Sequence, residues 1–191
     1  MKKLIVTFII CTIIIQCKTT LNDGLVEIEL DSHPYLLRDH LPINPTFGFP
    51  LNYPTMKGYY DANPFGNVTN LGKHLGCDLN KVGGGNNDYK DTIYSIGYGM
   101  VIESSGALIA ILHKTKYSVP NYIIASYFHC DTIFVVRQEY ITAGQPIGLV
   151  GKKYAIAAHL HFEILTDTTK TNVFYGDFKD CLDPIQFIYN Y

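Results

Sequence analysis

The sequence has no surplus of basic residues, no apolar run long enough to cross a bilayer, no internal repeat and no nucleotide-binding fingerprint. Lys and Arg number 15 against 17 Asp and Glu, so there is no electrostatic footprint for nucleic acid and no polybasic patch for anionic lipid. Heptads and low-complexity tracts are missing too, which excludes coiled-coil and fibrous roles. Gly83-Gly84-Gly85 is followed by neither G-x-G-x-x-G nor G-x-x-x-x-G-K-[ST], so it reads as a turn and not a phosphate cradle. The longest apolar stretch, Leu4–Ile15, falls well short of the ~20 residues of a membrane span.

That stretch follows Lys2-Lys3 and precedes Gln16-Cys17, the layout of a bacterial secretory signal over residues 1–16. Ile14-Ile15-Gln16-Cys17 resembles a lipobox in which Cys17 is acylated and becomes the mature N-terminus, although Gln16 departs from the small residue usual there. The expectation is an exported lipoprotein, periplasmic or at the cell surface, held to a membrane by several acyl chains, since one chain alone anchors marginally. Removing the signal leaves 13 Lys and Arg against 17 Asp and Glu, a net charge near −4. It also leaves Cys77, Cys130 and Cys181, an odd set that cannot complete a disulfide framework. They can pair in part or remain as buried thiols.

The chemistry is concentrated in His159-Leu160-His161, followed by Phe162-Glu163-Ile164. In a strand, residues i and i+2 face one side with Cα atoms roughly 6.6 Å apart. One ring can then bind a metal while the other reaches a water on it. A half-exposed strand can also carry two histidines for no chemical reason, so the motif needs partners. His74-Leu75-Gly76-Cys77-Asp78 supplies them: a neutral nitrogen and a carboxylate suit Zn²⁺. A straight strand would hold His74 and Asp78 ~13 Å apart, and Gly72 and Gly76 argue against a helix, so the segment is expected to be extended and bent at Gly76. His74, Asp78 and one histidine of the later pair make three ligands with a fourth position open for water, the pattern of a catalytic zinc.

Both motifs, in this order, resemble the lysostaphin-type (M23, LytM-like) zinc metallopeptidases, which pair H-x-x-x-D with H-x-H inside an H-L-H-F-E strand. Further resemblance lies in Gly83–Asp88, Asp91–Ile96, Gly99-Met100-Val101, Tyr127-Phe128-His129, Ala143–Gly151 and Asp183-Pro184, so that it extends from Phe65 to Tyr189. It implies that His74, Asp78 and His161 bind one zinc, and that His129 and His159 are catalytic histidines beside the metal-bound water. Glu163 shares face parity with both histidines of the pair and is placed either as a partner orienting an imidazole or as an exposed strand glutamate. His113 reads as a hydrogen-bonded residue at a strand end, and His33 and His40 as surface residues.

The Pro-rich spacing of residues 17–64 breaks helices and central strands, so this part is expected to be an irregular leader whose aromatics pack on the domain. Residues 65–191 form the peptidase-like domain. Ile93–Ile96, Met100–Glu103, Leu108–Leu112, Tyr122–Phe128, Thr132–Val136, Ile147–Val150 and His159–Leu165 read as strands. The fold class is mainly β, an antiparallel sheet architecture with little helix: a turn near Arg137-Gln138-Glu139 and a segment after Pro184. The metal is expected in an open groove on one sheet face. The resemblance implies an endopeptidase acting on peptidoglycan stem or cross-link peptides. Two other classes compete with it: a catalytically silent lipoprotein that binds or activates another wall hydrolase, and an adhesion or zinc-capture protein.

Overall fold

The computed structural model describes residues 38–70, 72–166, 168 and 177–191. The expected signal, Cys17, His33 and the first part of the leader lie outside the described residues. The main sheet has eight strands in the order β1 (Tyr59–Asn63), β4 (Cys77–Lys81), β12 (Leu160–Leu165), β8 (Tyr122–Phe128), β7 (Leu108–Lys114), β6 (Gly99–Ser105) and β10 (Tyr140–Ile141), with β13 (Cys181–Leu182) also paired to β12. A second sheet joins β5 (Thr92–Tyr94), β11 (Pro146–Val150) and β9 (Cys130–Ile133), and β2 (Val68–Thr69) with β3 (Gly72–Lys73) forms a small hairpin. Every ladder between these strands is antiparallel. Among the described residues, helix is confined to short turns and α1 (Pro184–Asn190), whose first amides donate to the Asp183 side chain. No helix among the described residues is long and apolar enough to cross a membrane.

Alternation along β12 assigns its residues to two environments. Leu160, Phe162 and Ile164 enter the core between the two sheets, with Leu79, Tyr127, Ile93, Ile147 and Val150. Phe162 and Tyr127 pack 5.2 Å apart, both fully buried, and each contributes roughly 2–3 kcal/mol of hydrophobic stabilisation. Leu165, with His161 and Glu163, faces the other side, where Leu41, Met100, Leu108 and Leu112 build a smaller core. The candidate site lies on that second face, beside Phe128 and Leu75.

Several boundaries differ from expectation. Tyr59–Asn63, within the Pro-rich leader, is an edge strand of the main sheet, a position where nearby prolines cost no ladder bonds. The strand expected over Thr132–Val136 begins at Cys130 and ends at Ile133. Arg137-Gln138 is a tight turn and no helix: Gln138 has φ 72° and the Val136 amide donates to the Glu139 carboxylate. Upstream of β1, Phe47 packs on His113, Phe187 and Tyr191, and Phe49 on Tyr189. Cys77 and Cys130 are free, buried thiols, and Cys181 is buried as well.

Candidate metal centre

His161 is paired directly with Asp78 across β12 and β4 and with Phe128 across β12 and β8. His74 follows β3, and the chain bends at Gly76 before entering β4. Gly76 is needed for a reason other than backbone freedom. A Cβ there would press on the Phe162 carbonyl oxygen and lie 2.8 Å from Glu163 Cγ. The bare backbone therefore lets β4 close onto β12, and that closure brings the two motifs together.

The three donors form a near-equilateral triangle. His74 Nε2 is 3.0 Å from His161 Nδ1 and 3.2 Å from Asp78 Oδ1, and His161 Nδ1 is 2.8 Å from Asp78 Oδ1. A tetrahedral centre with bonds of about 2.0–2.1 Å has ligand-to-ligand edges of roughly 3.3 Å, so the group is close to the size zinc requires. Its side chains are 10–18% exposed, walled off but open to solvent.

Each donor is held from behind. His74 Nδ1–H donates to the Pro64 carbonyl at 3.3 Å, Asn63 Nδ2 donates to Asp78 Oδ2 at 2.9 Å, and His161 Nε2–H donates to Glu163 Oε1 at 2.8 Å. Glu163 is 6% exposed, which overturns the exposed-glutamate alternative: its carboxylate accepts from His161 and orients that imidazole. With these outer bonds made, three acceptor atoms converge on one point. A proton can serve one pair of them; a metal ion serves all three.

Charge follows the same geometry. Burial works against protonation of His161, yet hydrogen bonds to Asp78 and Glu163 outweigh it and push the imidazole up to about 9. Burial raises Asp78, but His161, His74 and Asn63 more than reverse this and hold it well below the usual carboxylate range.

His129 and His159 stand beside the triangle, their rings 4.6 Å apart. His129 is the single residue between β8 and β9 and takes φ 65°, an uncommon conformation for a residue with a side chain. Its Nδ1–H donates to the Lys153 carbonyl at 2.7 Å. Burial, reinforced by neighbouring His159, pushes it down to about 4 against that bond, so it is neutral at pH 7. His159, just ahead of β12, donates from Nδ1 to the Ala157 carbonyl at 3.1 Å and turns Nε2 to within 3.5 Å of Asp78 Oδ1. A carbonyl only accepts, so both rings carry a proton on Nδ1, and the neutral His129 leaves its Nε2 bare.

His113 is elsewhere: it is fully buried near the end of β7 and bonded to the Tyr98 carbonyl. His40 is exposed. Cys17 lies outside the described residues. The sequence reading missed Asn63, the Pro64 carbonyl and Asn67, which donates to Asn63 Oδ1 at 2.7 Å; the Asn-rich run after β1 was their only trace.

Comparison with known proteins places these features in context. Residues 72–173 match the profile of Peptidase family M23. Lipoprotein NlpD of Yersinia enterocolitica is 36% identical over 66 residues, 35% of this chain and 62% of that relative. This chain therefore spans less than two thirds of its curated relative. Among solved structures, a zinc-containing peptidase from Vibrio cholerae aligns with TM-score 0.51 and 24% identity over 63% of this chain and 37% of that one. The antimicrobial peptidase lysostaphin from Staphylococcus simulans aligns with TM-score 0.51 and 22% identity over 70% of this chain and 50% of the other. At these identities the likeness is one of fold.

Proposed function

The chain belongs to peptidase family M23, and from that premise we propose that it is a zinc-dependent endopeptidase of the bacterial cell envelope, cleaving stem or cross-link peptides of peptidoglycan. The observation that carries the proposal is the triangle of His74 Nε2, Asp78 Oδ1 and His161 Nδ1, with edges of 2.8–3.2 Å and His129 and His159 at its side.

In this reading the three donors hold zinc. Zinc, when bound, supplies Lewis acidity toward the scissile carbonyl and lowers the pKa of water toward ~7. The chain's own residues handle the protons. His129 presents a bare Nε2, so it acts first as a proton acceptor and becomes a donor, to the departing amine or a developing oxyanion, only once protonated, while His159 turns its Nε2 to the same site for proton transfer. The backbone carbonyls of Lys153 and Ala157 fix the two rings through their Nδ1–H groups. Glu163 and Asn63 keep the ligands aimed. Export through residues 1–16 and acylation at Cys17 would place the site at the membrane-facing wall.

The test is zinc content together with chelator-sensitive hydrolysis of purified peptidoglycan, with His159→Ala as control. One zinc per chain and hydrolysis that the chelator and His159→Ala each abolish is the expected result. Zinc binding without hydrolysis of any wall type would replace the peptidase reading with that of a silent binder or activator. Absence of zinc from the purified protein after metal loading would sink both.

A further inference from the structure

The segment immediately after β1 touches the donor triangle at more points than any ligand motif requires. The Gly66 amide donates to the His74 carbonyl at 2.8 Å, and the His74 amide donates to the Asn67 carbonyl at 2.8 Å. The Pro64 carbonyl takes the His74 Nδ1 proton. Asn63 sits opposite Asp78 in the β1–β4 ladder, directly after the register shift between Asp61 and Asn63. That shift turns the Asn63 amide onto Asp78 Oδ2. Asn67 completes the chain of donors by giving a proton to Asn63 Oδ1. The direction of the relay is fixed by its end: a carboxylate only accepts, so Asn63 must present Nδ2 to it and its oxygen to Asn67.

We propose that Asn63, polarised by Asn67, is a positioning residue that ties up Asp78 Oδ2 and so makes Asp78 a one-oxygen metal ligand through Oδ1. The inference rests on the metal-centre reading above and adds a residue to it. Without the Asn63 amide, Asp78 is free to rotate about its terminal torsion, to offer both oxygens or to turn toward solvent, and the triangle loses the edge that His161 and His74 share with it. The Asn67 backbone carbonyl holds the His74 amide whatever the side chain is, so the Asn67 side chain acts on the ligands through Asn63.

The experiment measures zinc affinity by chelator competition, and the visible spectrum of the cobalt-loaded protein, for the full chain and for Asn63→Leu, Asn67→Ala and the double variant. Asn63→Leu keeps the shape and removes the donor, and is expected to weaken zinc 10- to 100-fold, in the usual range for an outer partner of a metal ligand. It should also shift the cobalt bands, while the metal-free melting temperature stays put. Asn67→Ala should weaken zinc less than 10-fold in the wild-type background and add almost nothing to Asn63→Leu. Additive losses, or wild-type affinity and cobalt spectrum in Asn63→Leu, overturn the inference while leaving the metal centre intact. Failure of the wild-type chain to take up zinc overturns the metal-centre reading and the inference with it.

Discussion

Replacing Gly76 by alanine tests how β4 and β12 are joined. The added methyl would meet the Phe162 carbonyl oxygen, with the carbonyl carbon at 2.9 Å and Glu163 Cγ at 2.8 Å, whereas ordinary contact begins at 3.4 Å. The two strands must part by about half an ångström or more, and one of the obstructing groups is backbone that no rotamer change can move. Overpacking costs typically 1–3 kcal/mol, and a backbone obstruction places Gly76→Ala near the upper end, about 3 kcal/mol. For a domain of this size that corresponds to a melting temperature lower by roughly 6–12 °C. The same displacement separates Asp78 from His161 and Glu163 from His161, so zinc affinity should fall together with stability. Gly106→Ala is the control: Gly106 has φ +64° and open space around it, so the methyl costs about 1–2 kcal/mol through the backbone alone and leaves the site untouched. Urea unfolding of the metal-free proteins and chelator competition read both effects. A Gly76→Ala protein as stable as the wild type, binding zinc equally well, would refute the claim that close strand approach assembles the site.

Two further outcomes follow from buried polar groups. Burial holds His113 at about 4, below the ~6.5 of an unfolded chain. The unfolded state therefore takes the proton first, and stability present above pH 6.5 is lost as pH falls toward 4, by up to about 3 kcal/mol. His113→Phe should flatten that slope in urea titrations across pH, and the Tyr98 carbonyl keeps the Asn44 amide as donor at 2.8 Å; parallel slopes in the two proteins would count against this account. Glu163→Gln retains an acceptor for His161 but removes its charge, so zinc should bind about tenfold more weakly, and unchanged affinity would separate Glu163 from the metal centre.

The residues at the heart of the site were legible because their chemistry is written at short range. H-x-x-x-D and H-x-H name their donors, and period-two alternation places His159, His161 and Glu163 on one face before any fold is known. What lay beyond reach depends on pairing between distant segments. Asn63 acquires its role only because β1 lies beside β4 with a shifted register, and nothing in a Pro- and Asn-rich stretch announces an edge strand. Glu163 could be read as exposed because alternation gives a face and not its depth; Phe128 and the neighbouring apolar cluster supply the cover. The division into two sheets was also hidden, since short β-branched runs do not say which neighbour each will choose. Gly76 was expected as the site of a bend, but the atoms that demand a glycine belong to a strand more than eighty residues away.

β12 contributes to two surfaces at once, with Leu160, Phe162 and Ile164 in the intersheet core and His161 and Glu163 on the other face. Slipping the strand by one residue would send phenylalanine to the side of the donor triangle and histidine into hydrocarbon. The strand therefore has almost no freedom to change length: one inserted or deleted residue between Leu160 and Leu165 would destroy packing and chemistry together. The side chains of residues 152–156, exposed except for the half-buried Ala155, carry no such double duty, the loop serving the site through the Lys153 backbone carbonyl. Sequence change, by nature or at the bench, has room in the side chains of that loop and essentially none in the strand it feeds.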